Sequence, residues 1–85
     1  MTIYEILAYE DGLPKVVHCG DTLWEALFCA KKASLKYDCV SIFIGDEDLA
    51  NEAMAKIRHY IPDAKVSMIT KYDIWCIDVK HIHHK

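Results

Sequence analysis

The stretch from Thr22 to Tyr37, TLWEALFCAKKASLKY, constrains the fold most, because as a helix it carries more apolar surface than one sheet can cover. At about 100° per residue, Leu23, Ala26, Leu27, Ala30, Ala33 and Tyr37 fall on one side and make a core stripe. Trp24, Phe28 and Leu35 fall on an adjoining strip about 100–140° round from Leu23, and Lys31 shares that strip. Glu25, Lys32 and Lys36 hold the polar back. The apolar arc spans roughly 220°, about twice what a surface helix needs to hold a core. Thr22 with Glu25 three residues later fits a capping box, and the lysines of the last turns suit the helix dipole.

Strand-like runs flank this helix. Ile3 to Tyr9 is apolar at both parities, the pattern of a strand covered on both sides. Glu10-Asp11-Gly12 reads as a hairpin turn, and Leu13 to Cys19 returns as a second strand. Pro14 has no N–H for a ladder, so that strand belongs on an edge. Cys39 to Ile44, CVSIFI, is β-branched and aromatic and belongs near the middle of a sheet. Asp46, Glu47 and Asp48 then cap a second helix running to about Tyr60, where Pro62 stops it. Lys65 to Thr70 and Ile74 to about Ile82 are two further strands, joined by a turn at 71–73.

The resulting order is β-β-α-β-α-β-β over one domain, residues 1–85. The expected fold is a small α+β or α/β two-layer sandwich, in which one mixed sheet carries two helices mainly on one face. The opposite face of the sheet would then be partly bare.

Composition narrows the function. The chain is 53% hydrophobic and 27% charged, which fits a folded domain. Its net charge of −3 and single arginine, Arg58, argue against a general phosphate-backbone binder. Cys19, Cys29, Cys39 and Cys76 show no metal spacing, and no signal peptide precedes them, so reduced thiols in the cytoplasm are expected. No apolar run approaches the ~20 residues that span a bilayer.

Four groups of side chains compete as sites. His81 and His83, two apart on a strand, point the same way at a spacing that suits a shared metal, with His84, His18 or His59 completing the set. The alternative is a solvated chain end. Asp46, Glu47 and Asp48 sit where α/β folds place magnesium ligands, although helix capping explains all three. His18, Cys19, Cys76 and Asp78 supply the residue types of a nucleophilic site, but their spacing does not bring them together. The Trp24, Phe28, Lys31 and Leu35 strip is the strongest signal. It packs under the hairpin or the last strand, or it is a partner or dimer surface.

No catalytic signature appears, and no cofactor is expected. The reading is a self-associating cytoplasmic protein that binds another protein as an accessory or inhibitor, a genre that includes phage-encoded chains. The alternatives are a metal protein or small hydrolase using the C-terminal histidines and acidic cluster, and a single-stranded nucleic-acid binder using Lys31 and Lys32 beside the aromatics.

Overall fold

Hydrophobic patterning places seven elements in the expected order. A computed structural model describes residues 4–81, with β1 (Tyr4–Glu10), β2 (Leu13–Gly20), α1 (Leu23–Lys36), β3 (Cys39–Ile44), α2 (Glu47–Tyr60), β4 (Ala64–Lys71) and β5 (Ile74–His81). The strands form one sheet in the order β2-β1-β3-β5-β4. Pro14 lies on edge strand β2, and the β-branched β3 is central, as their chemistry requires.

Every neighbouring pair in this sheet is antiparallel, so the mixed sheet expected from the sequence does not form. Strands β2, β3 and β4 do run parallel to one another, as two helical crossovers demand. Between β2 and β3, however, lies β1, and between β3 and β4 lies β5. Each hairpin folds its other strand into the gap that the crossover opens, so no two parallel strands touch. Both hairpins turn through two residues with positive φ, Asp11 (54°) with Gly12 (80°) and Tyr72 (53°) with Asp73 (61°). Positive φ at both central residues marks the tight turns whose twist matches that of the strands.

Both helices lie on one face. Helix α1 packs on β1, β2, β3 and β5, helix α2 on β3, β4 and β5, and the two helices touch. Ile6, Leu27, Val40, Ile42, Ile44, Ile57, Ile77 and Val79 are fully buried between the layers. Each such side chain stabilises the fold by about 1.5–3 kcal/mol relative to exposure. Ala26, Ala30, Ala50 and Ala53 are also fully buried and let the helix axes approach the sheet closely. Helix α2 starts on Asp46, whose Oδ1 accepts from the Leu49 N–H at 2.9 Å.

The other face of the sheet carries no helix. Strand β1 is therefore not covered on both sides: Ile6 and Ala8 are buried under α1, whereas Leu7 and Tyr9 stay half-buried on the open face. Along the register, Val16, Leu7, Ser41, Asp78 and Ser67 make one transverse row of that face, and Cys19, Glu5, Phe43, Cys76 and Ile69 the next.

Candidate functional site

The candidate strip is built by the pitch of α1. Thr22 starts the helix by accepting the Glu25 N–H at 3.3 Å, which fixes the phase of everything that follows. With Ala26, Leu27, Ala30 and Ala33 turned into the core, positions 24, 28, 31 and 35 must face out. Trp24, Phe28 and Leu35 are 63%, 57% and 65% exposed, so they do not pack beneath the hairpin or the last strand. One helix thus presents three large apolar side chains to solvent, with the core stripe separate from them. Ser34 belongs to that core stripe as well, as a hydroxyl that apolar periodicity does not select. It is fully buried and donates to the Lys31 carbonyl at 2.8 Å.

Lysines frame the strip. Lys56 of α2 lies 4.8 Å from the centre of the Trp24 ring, and Lys32 lies 5.5 Å from that of Phe28. Lys31 turns toward α2 and sits 4.4 Å from the centre of the Tyr60 ring. Such cation–ring contacts at exposed sites are worth about 0.5–1 kcal/mol and hold the lysine stems along the aromatic surface. The carboxylates nearby are Glu25, and Glu52, which pairs with Lys56 at 3.4 Å. The rim of the strip is accordingly basic although the whole chain is acidic.

Two grooves flank the strip. Trp24 borders one of about 330 Å³ against Ala55, Lys56, His59 and Tyr60 of α2. Phe28 borders one of about 450 Å³ between α1 and β2, where Val17, His18, Cys29 and Tyr37 form the floor and walls. Lys56, His59 and Tyr60 could not be assigned to this site from the sequence, because only the helix–helix contact brings them there. In the second groove, His18 Nε2 is buried without a hydrogen-bond partner among the described residues. A Cβ built on Gly20 would come within 2.6 Å of that nitrogen and 2.9 Å of Glu25 Oε2, so the glycine leaves room for both side chains.

The other candidates do not come together. His18 pairs with Ile6 on the helix-covered face, whereas Cys19, Cys76 and Asp78 lie on the open face. No cysteine–histidine–aspartate arrangement therefore exists among the described residues. Asp78 Oδ1 instead accepts from Ser41 Oγ at 2.5 Å and from Cys76 Sγ at 3.5 Å. Burial pushes the Cys76 thiol up to about 11, with the Asp78 charge and its hydrogen bond adding to it. That is the opposite of nucleophile activation. Burial likewise raises the Cys29 and Cys39 thiols.

Asp46 is engaged as the cap of α2, and Glu47 and Asp48 are exposed in its first turn. His81 ends β5 opposite Ala64, and His83 lies outside the described residues. Among the described residues, no three His, Cys, Asp or Glu side chains are grouped to hold a metal ion. No helix among them is long and apolar enough to cross a membrane.

No protein family matches the chain, and no curated protein does. In fold it is similar to the solution structure of a computationally designed artificial protein, with a TM-score of 0.63 and 16% identity over 93% of this chain and 96% of that one. That likeness supports the β-β-α-β-α-β-β sandwich and says nothing of activity.

Proposed function

We propose that the chain is a non-catalytic protein-binding domain, an accessory or inhibitor protein that docks a partner protein on the outer face of α1. The observation that carries this reading is the exposure of Trp24, Phe28 and Leu35 on a helix whose core stripe is already complete. Exposed aromatics that border grooves are the usual anchors of protein interfaces. Lys31, Lys32, Lys36 and Lys56 surround them, so the partner presents an acidic rim around an apolar centre. A cytoplasmic setting agrees with four unpaired cysteines, of which Cys19 is exposed.

The test is a comparison of captured proteins between the wild type and a Trp24→Asp/Phe28→Asp variant. Both substituted side chains are exposed, so the variant keeps its circular dichroism spectrum and a cooperative melt, with a melting temperature lowered by several degrees as the two cation–ring contacts are lost. The proposal predicts that specific proteins bound by the wild type are lost from the variant. The same proteins on both baits would overturn it. So would capture that disappears with nuclease and falls steeply with salt, which is the behaviour of a single-stranded nucleic-acid site.

A further inference from the structure

We infer that the helix-free face of the sheet is the interface of a homodimer, distinct from the partner-binding face of α1. The parity of every strand puts Leu7, Tyr9, Val16, Phe43, Ile69 and Ile74 on this side. Val16, Ile69 and Ile74 are 57%, 60% and 46% exposed, and the others there are half-buried. Two exposed apolar side chains, Val16 and Ile69, thus sit on the outermost strands of one continuous surface.

Size and charge favour a second copy as the occupant. Five strands about 4.8 Å apart and about 25 Å long offer roughly 500–600 Å² per copy, so a face-to-face pair buries roughly 1,000–1,200 Å², at the lower limit of a specific interface. Acidic and basic side chains sit at different places on the face, with Asp78 and Lys80 sharing β5. Glu5 lies on β1, whereas Lys80 lies on β5 and Lys65 and Lys71 on β4. A two-fold axis parallel to the strands, between the two sheets and over β3, lays β1 of one copy over β5 of the other, and β2 over β4. That arrangement lays Glu5 of each copy over Cys76 of its mate, diagonally from Lys71, and Tyr9 over Lys80. An in-plane axis across the strands would instead set the β4 lysines against each other, which costs free energy. The remaining charge, Asp78, already accepts from Ser41 and Cys76 within its own sheet, so it enters the interface hydrogen-bonded.

Tyr72 supplies an independent sign. It is 86% exposed at the β4–β5 turn, and its φ of 53° is a conformation that bulky residues avoid. Its ring borders a hollow of about 240 Å³ with Phe43, Ile69 and Ile74 on this same face. The β4–β5 ladder holds that turn in place, and it leaves the ring at the rim of the open face, where a second copy would cover it.

Sedimentation equilibrium of the full chain tests the inference, with circular dichroism as the folding control. The wild type sediments as a dimer. Ile69→Lys, at an exposed position, is a folded monomer. Glu5→Lys and Lys71→Glu each weaken the dimer about tenfold, and the double exchange E5K/K71E restores it to within about threefold of wild type. Trp24→Asp/Phe28→Asp stays dimeric. A monomeric wild type, a dimer unaffected by both Ile69→Lys and the two charge reversals, or a dimer broken by Trp24→Asp/Phe28→Asp would overturn the assignment.

Discussion

Cys76 shows how the open face treats a reactive residue type. Its thiol is flanked by the Asp78 carboxylate, which already holds the Ser41 hydroxyl, and burial and that carboxylate together favour the neutral form. With the folded value raised to about 11 from an ordinary value of 9.0, folding favours the protonated thiol. The stability this contributes is complete below pH 9 and is lost as pH rises toward 11. We predict that the urea midpoint falls more between pH 8 and pH 10.5 in the wild type than in Cys76→Ser, whose hydroxyl does not ionise. Equal falls would show that Cys76 carries no such coupling. The residue types of this cluster were legible in the sequence, but the partnership was not. Ser41 and Asp78 meet only because β3 and β5 are neighbours, 37 positions apart in the chain.

At the scale of elements, local chemistry was a reliable guide wherever a single side chain decides the geometry. Thr22 and Asp46 cap the two helices, Pro14 marks an edge strand, and CVSIFI is the central one. Replacing Asp46 with Ala removes the 2.9 Å bond to Leu49 and is expected to cost about 1 kcal/mol in urea unfolding. The turn at 71–73 was legible as well, but not its strain, since Tyr72-Asp73 lacks the usual Asn-Gly signature of two positive φ values. Exchanging the pair for Asn-Gly relieves that strain, and we expect a gain of about 1 kcal/mol in stability, read by thermal melting. The same exchange is expected to weaken the dimer, because the Tyr72 ring leaves the face. What the sequence concealed was strand adjacency. Apolar periodicity identifies two faces on β1 without saying which of them meets the helices, so Leu7 and Tyr9 looked as coverable as Ile6 and Ala8. The direction of each strand's neighbour is equally absent from local pattern, which is why a mixed sheet was as reasonable as the antiparallel one.

The whole molecule is a two-layer sandwich with apolar surface left over on both outer sides. A designed protein of similar fold shares 16% of its residues with this chain, so the architecture does not depend on one particular set of side chains. Features that exceed the needs of the fold are then the ones to assign to function. The Trp24-Phe28-Leu35 strip was visible beforehand as an arc too wide for one sheet, and its exposure follows from the phase of α1. The open sheet face was foreseeable only as a possibility, because it depends on both helices choosing the same side. The most direct test is sedimentation velocity of the wild type, Trp24→Asp/Phe28→Asp and Ile69→Lys, each with and without the protein that the wild type captures. The account predicts that Trp24→Asp/Phe28→Asp remains a dimer and binds no partner, while Ile69→Lys becomes a monomer that still binds it. Partner binding retained by Trp24→Asp/Phe28→Asp would contradict the account.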